Sequence, residues 1–209
     1  MLPGAVVFDF NGTLSDDEPI LLRIYQELFA EHGRPLAEAE YYAELAGHSE
    51  EEIIGRWLGE VTPELVAERI ARYRALVADG RTVYPEVRDA VRHAASRLPV
   101  AICSGASLDE IEPVAAAAGL LPYLTTIVAS DHVVHGKPHP ESYLRAAGLL
   151  GVAPETLLAF EDTEAGVESA LGAGARVVGI TRTLGPARLA RAHELAPVVD
   201  LPLLERLLP

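Results

Sequence analysis

The 209 residues include a single cysteine, a single lysine and a single tryptophan. A lone cysteine, Cys103, excludes an internal disulfide, so packing and polar contacts must hold the chain together. That usage fits a reducing compartment, and a cytoplasmic location is the corresponding expectation. The context VAICSG places Cys103 at the end of a buried strand, where a thiol serves as a small core group. No apolar run approaches the ~20 residues of a membrane-spanning helix. The first residues lack the basic and apolar blocks of a secretory leader, so the glycosylation triplet Asn11-Gly12-Thr13 carries no weight. Cations are scarce too: 17 Lys and Arg stand against 31 Asp and Glu, a net charge of −14. The arginines are scattered among acids. With no basic patch, nucleic acid and anionic membranes are excluded as expected partners. Internal repeats and low-complexity tracts are lacking.

What is present is a globular composition, 49% hydrophobic and 23% charged, long enough for one sizeable core or a core with a small insert. Five short apolar runs read as buried strands: Ala5–Phe10, Val100–Cys103, Thr126–Ala129, Leu157–Phe160 and Arg176–Ile180. A sixth is expected at Val198–Val199. Uninterrupted runs of this length suit a parallel sheet covered on both faces. Helical stretches lie between them, at Asp109–Ala118, Pro140–Leu150 and Glu164–Ala173, each with a glycine near its end. Strand–helix alternation predicts a doubly wound α/β core, with ligands beyond the carboxyl ends of the strands.

Residues 16–80 break this rhythm. Ile20–His32, Ala37–Leu45, Glu51–Leu58 and Pro63–Ala78 carry helical periodicity and no convincing strand. The reading is a helical cap domain, 16–80, inserted into a core of 1–15 and 81–209. Because the insertion follows the first strand, its hinges flank that strand's tip, and a lid over the site is the natural geometry. A bundle that only widens the core is the alternative. Trp57 reads as core. Arg34, Arg56, Arg69, Arg72 and Arg74 stand among glutamates and read as a solvated face.

The polar residues just past the strands form a set. The first strand delivers Asp9, the second Ser104-Gly105, the third leads into GKPHPE with Lys137, and the fourth delivers Glu161-Asp162-Thr163. Any one of these aspartates could merely cap a helix. Together they suit attack by an aspartate on a phosphoryl group, provided that anion–anion repulsion is neutralised. A hard divalent cation does this, with Asp9 and Asp162 as ligands and Glu161 beside them. Lys137, the only lysine beside sixteen arginines, supplies a compact fixed charge. Ser104 and the N–H of Gly105 can donate to the transferring oxygens. His132, His135 and His139 do not have closed tetrahedral zinc spacing, and read as a loop flanking the phosphate site.

Four ordered motifs, DFNGTLSD, ICSG, GKPHPE and FEDTEAGVESALGAGARVVGI, resemble the haloacid dehalogenase superfamily. The nearest subgroup is the β-phosphoglucomutase and phosphoglycolate-phosphatase type, which carries a helical cap. The resemblance extends from Ala5 to about Val199. It implies an aspartyl-phosphate formed on Asp9 and phosphate binding by Ser104 and Lys137, with Asn11, Gly12 and Gly105 alongside. It further implies Mg²⁺ held by Asp9, Asp162 and the backbone carbonyl of Asn11, supported by Glu161. The cap, with His48 as a candidate contact, would select a small phosphorylated metabolite. A monomer or weak dimer is expected.

Asn11 departs from the family pattern, which has a second aspartate there to protonate the leaving alcohol and activate water. An amide cannot shuttle a proton at neutral pH. Asp16, Asp17, His48 or a water could stand in, the leaving group could need little help, or turnover could be slow. On the sequence alone, Asn11→Asp is expected to improve the hydrolysis of poor leaving groups. Phosphatase action is the leading expectation. The alternatives are a mutase, disfavoured by Glu50, Glu51 and Glu52 in AGHSEEEII, and a catalytically silent phosphometabolite binder. Dehalogenation would leave Glu161-Asp162 superfluous, and Schiff-base phosphonate hydrolysis would need a cap lysine that is not there.

Overall fold

Alternate residues of a strand face opposite layers, and here both layers are filled with apolar side chains. In the computed structural model, which describes residues 2–208, the strands are β1 Ala5–Phe8, β2 Val100–Cys103, β3 Thr126–Val128, β4 Leu157–Glu161, β5 Arg176–Ile180 and β6 Glu194–Ala196. Every pairing is parallel, and the order is β3-β2-β1-β4-β5-β6. Val6, Phe8, Ile102, Leu158, Phe160 and Val178 point to one side. There they meet α5 (Pro85–Ala95), α6 (Leu108–Ala117) and α9 (Leu201–Leu207). Val7, Ala101, Cys103, Ala159 and Val177 point to the other, against α7 (Glu141–Leu150) and α8 (Glu164–Gly172). This is the doubly wound sheet expected from the continuous apolar runs. β1 lies between β2 and β4, so the strand order reverses at β1. Its carboxyl end opens on the crevice where such sheets bind ligands.

The expected strands fall where the apolar runs are, with ends shifted by one or two residues. The sixth is a correction: it forms at Glu194–Ala196, paired from Val178↔Glu194 to Ile180↔Ala196, and not at Val198–Val199. Pro197 lacks the N–H to extend the ladder. Asp200 N-caps α9, accepting from the N–H of Leu203 at 2.9 Å. Val199, fully buried, is thereby a core contact before a helix. Helices α5 and α9 were not anticipated from the sequence.

Between β1 and α5 run α1 (Glu18–Glu31), a short α2 (Glu38–Glu40) widening into a π turn at Tyr41–Leu45, α3 (Glu50–Leu58) and α4 (Pro63–Val77). Local chemistry sets their starts. Ser49 and Glu52 cap each other's backbone at α3, and Thr62 accepts from the N–H of Leu65 ahead of Pro63 at α4. The ring of Tyr25 meets those of Phe29 and Tyr41 in tilted contacts, with centroids 5.4 and 6.0 Å apart. They belong to the same apolar cluster as Phe8 and Phe160 of the sheet. Trp57 is half-buried; its indole donates to the carbonyl of Arg34, whose guanidinium lies 5.9 Å from the ring.

Arg69 departs from the expected solvated arginine face, on which Arg34, Arg56 and Arg74 are exposed and Arg72 is half-buried. Arg69 is buried, 7% exposed, and lies between the rings of Tyr73 at 5.4 Å and Tyr25 at 5.9 Å. It pairs with Glu50 of α3 at 3.2 Å and with Glu110 of α6. The periodicity showed it on the apolar side of α4; its type suggested solvent. A buried carboxylate, a half-buried one and two aromatic faces resolve that conflict. Arg69 thus ties the helices after β1 to a helix of the sheet layer. Arg69→Met would leave the buried Glu110 and the half-buried Glu50 without their counter-ion, and is expected to cost about 3–5 kcal/mol, measured by urea unfolding. Burial raises Glu50 from 4.5 to about 7 against the opposing pull of Arg69. Between these values the folded state binds more protons than the unfolded state, so this residue's contribution falls as pH rises. Wild-type stability should therefore decline relative to Glu50→Gln across that window; a difference independent of pH would refute the assignment.

Candidate active site

The parallel register carries Asp9 one residue past β1, where its N–H donates to the carbonyl of Phe160 at 2.9 Å. Ser104 follows β2, and its N–H donates to the carbonyl of Val128 at 2.9 Å. Glu161 closes β4 and Asp162 follows it. Lys137 arrives on the loop after β3. Its ammonium lies 2.6 Å from Oδ1 of Asp9, 2.5 Å from Oε1 of Glu161 and 3.0 Å from the carbonyl of Cys103. Glu141 braces this loop by accepting from the N–H groups of Val134 and His135 at 2.8 and 3.0 Å. The rings of His135 and His139 meet at a tilt on the surface beside it, and His132 turns back to accept from the N–H of Ala129.

Asp9, Glu161 and Asp162 are buried, and each offers an oxygen within 4.8 Å of the others'. Burial raises Glu161 to about 7, with the charge of Asp9 adding and Lys137 opposing. Asp162 is pushed well up by burial and then by Asp9 and Glu161. Burial raises Asp9 as well, opposed by Lys137. Burial would depress Lys137, but Asp9 and Glu161 reverse this and hold its ammonium above the usual range. Three carboxylates therefore face one ammonium. Oε2 of Glu161 is buried and lacks a hydrogen-bond partner. A compact all-oxygen donor set with excess negative charge fits a hard divalent cation.

Two glycines make room for it. Gly12 has φ +73°, and a Cβ there would meet Oδ2 of Asp162 at 1.9 Å. A Cβ on Gly166 would meet Oε2 of Glu161 at 1.9 Å.

Asn11 follows Asp9 on the same turn. Its side-chain nitrogen donates to Oδ2 of Asp17 at 2.8 Å and to the hydroxyl of Tyr73 at 2.9 Å; its oxygen faces the hydroxyl of Ser104 at 3.4 Å. Tyr73 donates to Asp17 at 2.5 Å, and the N–H of Gly12 lies 3.2 Å from the other oxygen of Asp17. Burial raises Asp17 to about 6 against these hydrogen bonds.

The structure thus brings together Asp9, Asn11, Gly12, Ser104, Lys137, Glu161 and Asp162. Gly105 lies at the exposed edge with open space around its Cα. His48 is engaged elsewhere, with Arg56 at 3.0 Å and Glu52 at 3.6 Å, although the preceding Gly47 packs toward Thr163. Two contributors were missed. Tyr143 donates to Oε1 of Glu161 at 2.6 Å, and Tyr73 reaches Asn11 from 62 residues away. Both lie in stretches read only as helical, Pro63–Ala78 and Pro140–Leu150, and helical periodicity gives no sign of a hydroxyl partner.

A family profile described as haloacid dehalogenase-like hydrolase matches residues 3–174. The chain belongs to that family. Among its relatives, hexitol phosphatase A of Escherichia coli is 32% identical over 90% of this chain and 87% of its own. Fructose-1-phosphate phosphatase YqaB of the same organism is 29% identical over 84% and 95%. Among solved structures, CbbY from Rhodobacter sphaeroides in complex with phosphate is 27% identical, covers 95% of both chains and superposes with a TM-score of 0.82. A mutant of CbbY has been solved with xylulose-(1,5)bisphosphate.

The glycine contacts predict opposite outcomes for one substitution. Gly166→Ala should displace Glu161 from Lys137 and Tyr143 and destabilise by about 1–3 kcal/mol, as overpacking does. Gly148→Ala, with nothing within 4 Å on α7, should stabilise by roughly 0.5–1 kcal/mol. Thermal melting of both variants checks the pair.

Proposed function

We propose that this hydrolase is a Mg²⁺-dependent phosphatase acting on a small phosphorylated metabolite, of the sugar or sugar-alcohol phosphate class. The observation that carries this reading is the convergence of Asp9, Lys137, Glu161 and Asp162 in one buried cluster. The names of the relatives supply the substrate class.

In this reading a carboxylate oxygen of Asp9 attacks phosphorus, and the bond from phosphorus to the alkoxy oxygen breaks. The alcohol leaves with that electron pair and takes a proton from water. A second water attacks the aspartyl-phosphate, releasing inorganic phosphate and restoring Asp9. Lys137 holds Asp9 and opposes the charge building on the phosphoryl oxygens. The hydroxyl of Ser104 and the open N–H edge at Gly105 receive the same oxygens. Asp9, Asp162 and the backbone carbonyl of Asn11 would hold the metal, with Glu161 in support; when bound it neutralises repulsion between nucleophile and phosphate. Residues 16–80 serve as the cap that excludes water and chooses the substrate, docked in the closed state through Arg69. The amide at position 11 favours hydrolysis over mutase action, which must move protons between sugar hydroxyls.

Inorganic phosphate released from a panel of sugar, hexitol and short-chain phosphates, with and without Mg²⁺, tests the proposal. Asp9→Asn is expected to lower turnover by at least about 10³-fold, and beryllium fluoride should be retained by wild type and not by the variant. Saturable binding of a phosphometabolite with no phosphate released would instead identify a silent binder.

A further inference from the structure

The surroundings of Asn11 account for its identity. The hydrogen bonds that orient the Asn11 amide can be assigned. The carboxylate of Asp17 only accepts, so the atom of Asn11 lying 2.8 Å away must be the amide nitrogen. Tyr73 spends its one proton on Asp17, so its oxygen accepts the second amide hydrogen. The N–H of Gly12 approaches the remaining Asp17 oxygen. Both amide hydrogens are thereby used on Asp17 and Tyr73. The amide oxygen can only face the other way, toward Ser104. Asp17 is fully buried and Tyr73 is 1% exposed, so this polarity is built into the interior.

Building on the hydrolase reading, we infer that positions 11 and 17 together carry one amide and one carboxylate. Asp17 and Tyr73 are positioning residues that aim the Asn11 carbonyl oxygen at the phosphate side of the site. There it accepts a hydrogen bond from the attacking water or from a substrate hydroxyl. An aspartate at position 11 would set two carboxylates at the 2.8 Å separation now filled by a hydrogen bond, with the hydroxyl of Tyr73 able to satisfy only one. This reverses the expectation from sequence that Asn11→Asp should help. The carboxylate that the family pattern puts at position 11 is matched here by one at position 17, and carboxylates at both positions would have to share a proton.

The exchange of the two residues tests this. Wild type, Asn11→Asp, Asp17→Asn and the exchanged double variant would be compared by thermal melting and by kcat and KM for p-nitrophenyl phosphate with Mg²⁺, with Tyr73→Phe as a fifth protein. Asn11→Asp is expected to melt lower and lose at least about tenfold in kcat with KM nearly unchanged, the signature of lost positioning. The double variant regains one amide and one carboxylate, and should recover melting temperature and kcat beyond the sum of the single changes. Tyr73→Phe should lower kcat in wild type. The inference is overturned if Asn11→Asp matches or exceeds wild type in both measures. It is equally overturned if the double variant is no better than the worse single one, or if melting temperatures couple while kcat stays constant. Wild type that releases no phosphate, and equals Asp9→Asn in this, defeats the hydrolase reading alone. Coupled melting temperatures would then uphold the pairing of positions 11 and 17, and additive ones would overturn it.

Discussion

One ammonium, that of Lys137, stands between Asp9 and Glu161, and the rest of the site is arranged around it. Without it three carboxylates would share a pocket nearly free of solvent, and each would be driven toward its neutral form. With it, Asp9 is held beside a positive charge at the tip of the central strand. The lysine is kept there by a loop whose carboxylate brace, Glu141, ties back to the backbone. A guanidinium is a planar fork and would not reproduce the compact charge that meets two carboxylates and the carbonyl of Cys103 here.

The sheet makes this convergence possible. Because β1 lies at the reversal of strand order, loops from β2, β3 and β4 all reach its tip. The carboxylates come from β1 and β4, the hydroxyl from β2 and the cation from beyond β3. The helices after β1 reach the same point through Tyr73 of α4. Their attachment is polar as well as apolar: Arg69 links α4 to α6, and Tyr73 links α4 to the Asn11 turn. The two ties lie about one helical turn apart on α4, so any movement of that helix would act on both.

Much of this could be read from the residues alone. The uninterrupted apolar runs fixed five strands, and the polar residues just after them named Asp9, Ser104, Lys137, Glu161 and Asp162. What escaped notice shares a physical cause. Tyr73, Tyr143 and Arg69 sit on amphipathic helices, where spacing reports burial and says nothing about the partner of a polar tip. Arg69 was assigned to solvent because its neighbours in sequence are acidic, whereas the carboxylates that neutralise it come from other helices. β6 was misplaced because Val198 and Val199 are apolar while Glu194 is not; at a sheet edge, backbone pairing and a following proline outweigh side-chain character.

The Asn11-Gly12 step has a consequence for the chemical ageing of the protein. Deamidation of such a pair begins when the glycine nitrogen attacks the asparagine side-chain carbonyl, and it ends in an acidic residue. Here the glycine nitrogen lies 2.8 Å from the carbonyl of Ser15 and 3.2 Å from a carboxylate oxygen of Asp17, while the amide is pinned by two acceptors. The folded chain therefore shields an otherwise labile sequence, and its succinimide chemistry is confined to molecules that have opened.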